Sequence, residues 1–232
     1  MGLKWVMRWV PLSGGSVHGD AEAKLATFVQ HLCSRADGQK MEQGNTKWVS
    51  QCQFMKQTQA EEQEEMGRRG QGLGAGDLDV IVVSLTGVSD HRYLVARNES
   101  VVIEGDLKIL DVLSKMNFQA VAQVRFEGIN YIIGDFLVKV GSVIQNEEIK
   151  GFMLDVEYRP LSHIPSGHML MWEFCQILRN AAQELTAGKL EDISLPDQYS
   201  LGNNFTNMHS AVQYALMASV YMKGQSYDED LE

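Results

Sequence analysis

Asp155-Val156-Glu157-Tyr158-Arg159 places two carboxylates and a guanidinium at every second position. Successive side chains on a β-strand point to opposite faces, so Asp155, Glu157 and Arg159 share one face. Inside a barrel such a row could hold a divalent metal against a polyphosphate, with the carboxylates as ligands and cations receiving the phosphates. The residues needed to complete that chemistry are scarce. No other strand offers a second acidic pair, and the basic residues on the neighbouring strands are Arg125 and Lys139. The opposite side of the same strand is Phe152, Leu154, Val156 and Tyr158, which suits a barrel interior better. An outward, solvated charge row is therefore expected.

The remaining reactive residue types do not assemble by spacing. His18, His31, His91, His163, His168 and His209 form no HxxxH or HExxH pair. His168 and Cys175 would lie two helical turns apart, about 10 Å along an axis, too far for a nucleophile–base hydrogen bond. No serine stands in a G-x-S-x-G elbow. Gly70-x-Gly72-x-x-Ala75 mimics a dinucleotide fingerprint, but that fingerprint must follow a strand and open a helix, and here a strand follows the glycines. Cys33, Cys52 and Cys175 are odd in number and contain no CxxC pair, which reads as reduced thiols of an intracellular protein and excludes an all-cysteine zinc site. No catalytic residue, cofactor-binding residue or metal ligand is assigned.

The elements that must position these residues follow from periodicity. At 232 residues, 44% of them hydrophobic, the chain suits one domain spanning 1–225. Trp5, Met7 and Trp9 alternate up to Pro11, a strand near a sheet edge. Asp20 caps a helix with Leu25, Phe28, Val29 and Leu32 on one face. A strand with Trp48, Cys52 and Phe54 on one side precedes a Gln-, Glu- and Gly-rich segment, 56–76, read as a flexible loop. Strands at 79–85, 91–97 and 100–104 follow, then a short helix capped by Asp106, with Ile109, Leu110, Leu113 and Met116 on its apolar side. Ala122, Val124 and Phe126 alternate up to a turn at Gly128. Phe136, Val138 and Val140, then Phe152 to Tyr158, alternate in the same way, with a polar connection between them. Connections this short permit only antiparallel pairing.

Two helices close the chain. Ser166 caps the first, with Leu170, Phe174, Ile177, Leu178, Ala181 and Leu185 facing the core, and Gly188 ends it. The second runs from about Asn207 to Met222. Residues 226–232 form an acidic disordered tail. The expected class is α+β: an antiparallel β-barrel of about eight strands flanked by helices, two of them C-terminal. A formal net charge of −10 argues against direct nucleic-acid binding. No stretch is long and apolar enough to span a membrane.

Both closing helices carry more apolar surface than one core-facing stripe explains. Met171, Trp172 and Cys175 lie beside the main face of the first, and Tyr214, Met217 and Tyr221 beside that of the second. A helix that is apolar on two sides is covered by its own chain or by another, and Met and aromatic enrichment suits an interface core. These six residues are the candidate partner surface.

The run Gly134-Asp135-Phe136-Leu137-Val138-Lys139-Val140-Gly141-Ser142-Val143, with Gly151 and Asp155-Val156-Glu157-Tyr158-Arg159-Pro160 after it, resembles the signature strands of the Mediator subunit 20 family. Lys4-Trp5-Val6 and Trp172-Glu173-Phe174 are compatible with plant-like members. The resemblance implies a non-enzymatic subunit of the Mediator head module, acting in the nucleus as a transcription coactivator component. It also implies a heterodimer with Mediator subunit 18, a related barrel, an indirect tether through subunit 8, and a role in relaying regulatory signals to RNA polymerase II. The alternative is a metal-dependent phosphohydrolase using Asp155 and Glu157, because the charge row is also similar to the ExExK strand of triphosphate-tunnel hydrolases.

Overall fold

Alternating apolar residues joined by two-residue connections build the centre of the molecule. In the computed structural model, β7 (Phe118–Ile133), β8 (Phe136–Gln145) and β9 (Glu148–Tyr158) form a continuous antiparallel meander. Gly134 takes the left-handed conformation (φ +57°) in the first turn. Asn146 and Glu147 both take it in the second, as a two-residue hairpin turn with primed geometry requires. The turn expected at Gly128 is absent: β7 runs straight through it, and Gly128 pairs with Gly141.

The structure describes residues 2–11, 27–28, 39–40, 47–58, 80–186 and 188–223. The other strands are β1 (Leu3–Pro11), β2 (Gln39–Lys40), β3 (Lys47–Gln57), β4 (Val80–Ser84), β5 (His91–Ala96), β6 (Val101–Asp106) and β10 (Gly188–Asp192). The helices are α1 (Ile109–Lys115), α2 (Ile164–Thr186) and α3 (Asn207–Lys223). Of the expected helix over 20–32, only Thr27 and Phe28 are described, and both are helical. Most of the 56–76 loop, including Gly70 to Ala75, and the 226–232 tail lie outside the described residues. Within that loop Lys56 and Gln57 extend β3.

The strands form one antiparallel sheet in the order β10-β1-β9-β8-β7-β3-β4-β5-β6, with β2 beside β7. The α+β class expected from the sequence holds. The sheet is not a closed barrel: its path ends at β10 and β6, which do not pair with each other among the described residues. It curls instead around α3, which touches β1 near one end and β4, β5 and β6 at the other. β1 lies near the edge, as expected from Pro11, one strand in from the end of the sheet. β10 covers it, pairing Met7 through Pro11 with Asp192 through Gly188.

This curl creates two main cores. On the concave side Val6, Trp48, Cys52, Phe54, Val124, Phe126 and Met153 pack around α3. On the convex side Leu3, Met7, Phe152, Leu154 and Val156 pack against α2. A smaller convex cluster, Met55, Val82 and Leu113, lies under α1. The helix α3 has no polar face: His209 through Ala215 and Met217 through Ser219 are all buried. A helix enclosed on every side gains nothing from an amphipathic stripe. No helix among the described residues is long and apolar enough to cross a membrane.

Candidate interaction surface and buried charge row

The charge row points the other way from the sequence-based expectation. Both faces of β9 are covered, one by α2 and one by α3, so alternation alone could not say which was wet. Phe152, Leu154 and Val156 face α2. Met153 and Asp155 face α3, and Asp155 is buried rather than solvated. The antiparallel register brings Lys139 of β8 and Val6 of β1 beside it. Lys139 Nζ sits 3.3 Å from Asp155 Oδ2, and the Tyr214 hydroxyl of α3 donates to the same oxygen at 2.9 Å. Glu157, one repeat nearer the strand end, accepts the Gly2 N–H at 2.7 Å and pairs with Lys4 Nζ at 3.4 Å. Only Arg159 of the row is exposed.

The electrostatics suit a structural anchor. Burial pushes the Asp155 pKa up, but the Lys139 and Lys4 ammonium groups and the Tyr214 hydroxyl outweigh it and hold the carboxyl below its ordinary value. Burial and the Asp155 charge push the Tyr214 phenol well above its ordinary value. Asp155 and Glu157 are thus each matched by a cation of the chain, and α3 fills the concave side where a polyphosphate would have to lie. Among the described residues no three His, Cys, Asp or Glu side chains converge as metal ligands would. The row ties β1, β8, β9 and α3 together.

The signature residues serve the same packing. A Cβ on Gly141 would lie 2.5 Å from Trp48 Cζ2, so the Gly128–Gly141 pair leaves room for an indole across two strands. That indole stacks edge-on against Tyr214 and lies 5.8 Å below the Lys139 ammonium. Gly151 does the same for the Tyr221 ring, whose Cε1 would be 2.5 Å from any Cβ there. Lys4, Trp48 and Tyr214 were not singled out as members of this cluster. The parity of Lys4, Val6 and Arg8 on β1 was a usable signal, but the β1–β9 pairing that gives it meaning spans about 150 residues of sequence.

The six candidate partner residues separate. Met171 and Cys175 are buried against the sheet by α2, and Tyr214 and Met217 by α3. Burial lifts the Cys175 thiol pKa to about 12, as an inert core thiol requires. Tyr221 is half-buried over Gly151. Trp172 alone is exposed, at 45%. The helix is rotated from its expected seating: Gly167, Met171, Cys175, Leu178, Ala182 and Thr186 meet the sheet. Small residues let it approach closely, with Leu3 Cδ2 only 2.8 Å from where a Gly167 Cβ would be. Trp9 Nε1 donates to Thr186 Oγ1 at 2.9 Å and fixes the last turn. Leu170 and Ile177, expected in the core, are therefore outside, while Phe174 stacks flat on Phe136 at 3.8 Å. The helix also starts earlier than a Ser166 cap would give, at Ile164, with His163 Nδ1 2.7 Å from Ser166 Oγ. The result is an outer face with Met169 at 64% exposure, Leu170 at 47%, Trp172 at 45% and Ile177 at 59%.

Residues 1–219 match the family model described as the TATA-binding related factor (TRF) of subunit 20 of Mediator complex. The chain belongs to the Mediator subunit 20 family. It is 28% identical over 230 residues to Mediator of RNA polymerase II transcription subunit 20b of Arabidopsis thaliana, covering 96% of both chains. It is 41% identical to Mediator subunit 20 of Aedes aegypti over 54 residues, 23% of this chain and 25% of that one. Among solved structures, a chain of the Schizosaccharomyces pombe Mediator head module aligns over 80% of this chain and 97% of that one, at 11% identity and a TM-score of 0.38. Family membership makes the chain a non-catalytic subunit of the Mediator complex. The buried anchor of Asp155 agrees with that role.

Proposed function

We propose that the chain works by binding a partner barrel, Mediator subunit 18, through the outer face of α2. In that assembly subunit 8 is an indirect tether, and the pair helps relay regulatory signals to RNA polymerase II in the nucleus. The observation that supports this reading is the row of Met169, Leu170, Trp172 and Ile177 on a helix whose other side already packs on the sheet. Large apolar side chains clustered on one surface commonly mark a protein contact, and Trp is enriched among interface residues that dominate binding. The chain is proposed as one domain over 1–225, so that the helix is presented on a rigid sheet. Co-expression with subunit 18 followed by affinity purification tests the partner. Recovery of the two in one complex is the expected result; subunit 18 lost in the wash would remove the proposal.

A further inference from the structure

The convex side of the sheet is covered unevenly. The 23-residue helix α2 lies over β1 and β9, whereas among the described residues the other end has only the seven-residue α1. Cross-strand pairing there builds two apolar rows, Val82–Leu94–Ile103 and Val80–Ala96–Val101. Both reach β6 and stop in solvent, with Ile103 exposed at 49% and Val101 at 42%. β6 ends the sheet path, so one of its edges pairs with β5 and the other with no strand among the described residues. Edge strands of soluble proteins are usually blunted by Lys, Pro or a bulge. Val101–Asp106 contains no Lys or Pro, and its ladder with β5 runs unshifted over all six residues. Its polar side chains are Glu104 and Asp106, both exposed, on the opposite face from Val101 and Ile103.

We infer that the edge of β6 left unpaired among the described residues accepts an extended segment of a partner protein as an additional strand, with apolar residues alternating with basic ones. The apolar side chains extend the two rows past Val101 and Ile103, and the basic ones meet Glu104 and Asp106. Main-chain hydrogen bonds supply affinity, and the alternation supplies selectivity. This contact lies at the opposite end of the sheet from α2 and does not depend on subunit 18.

A synthetic peptide alternating valine and lysine, titrated against the full chain, tests it, with amide hydrogen exchange followed in parallel. The expected result is protection of the 101–106 amides and binding at least about tenfold tighter than that of the valine–glutamate counterpart. The V101K/I103K variant, whose substitutions are at exposed positions, should keep its thermal unfolding midpoint and lose the protection. Equal binding of both peptides, protection elsewhere, or no binding would overturn the inference. So would concentration-dependent dimerisation of the free chain with the same amides protected, which would make a second copy the occupant.

Discussion

Removing the Asp155 carboxylate would leave the Lys139 ammonium buried without its counter-charge. Breaking a buried pair in this way costs about 3–5 kcal/mol. D155N should therefore lower the unfolding free energy by about that amount, measured by denaturant titration. A D155L/K139M double variant should recover most of the loss, because two apolar groups of similar size leave no uncompensated charge. The same residue sets an acid limit. Its folded pKa is depressed, so its contribution is fully present above the ordinary value of 3.8 and disappears as pH falls through the lower folded value. His209 acts earlier in the same direction. Its buried Nδ1 accepts the Thr206 N–H at 3.1 Å, and burial lowers its pKa below 6.5. Stability should thus begin to fall as pH drops below about 6.5, and H209Q should remove that first phase in a pH series of unfolding curves. The charge row itself was legible in the sequence as a set of like-facing residues. Its surroundings were not, because Lys4 and Tyr214 reach Asp155 and Glu157 only through long-range pairing and docking.

At the level of elements, the strands of 118–158 were readable because alternation and short connections leave antiparallel pairing as the sole option. Gly128 makes no turn: it pairs with Gly141 of β8, and a Cβ there would collide with the Val140 carbonyl oxygen, a contact no local pattern shows. Replacing Gly141 by alanine should force the Trp48 indole or the β7 backbone to shift, costing about 1–3 kcal/mol. The short, charged β10 gave too weak a pattern to be seen. The seating of α2 is rotated for a physical reason: apolar residues occur on both sides of the helix, and close approach favours the side with Gly167, Cys175 and Ala182. Consequently M171D should unfold the chain, as a charge placed in the convex core, whereas W172D should leave the thermal midpoint nearly unchanged. Circular dichroism melts of the two variants distinguish these outcomes.

Across the whole molecule, a sheet curled around an enclosed helix has its concave side filled by α3 among the described residues, and its large exposed apolar residues include those on the outer face of α2. The number of strands and the α+β class could be approached from the sequence. The open path of the sheet and the enclosure of α3 could not, because closure depends on the two ends of the sheet order rather than on any local pattern. The cores are internal, and the outer face of α2 is exposed among the described residues. The most direct measurement is co-purification of subunit 18 with a W172D/I177D variant and with the unaltered chain, alongside their unfolding midpoints. The expected result is a complex with the unaltered chain, at least about tenfold less with the variant, and similar midpoints for both. Undiminished recovery of subunit 18 by a folded W172D/I177D variant would contradict it.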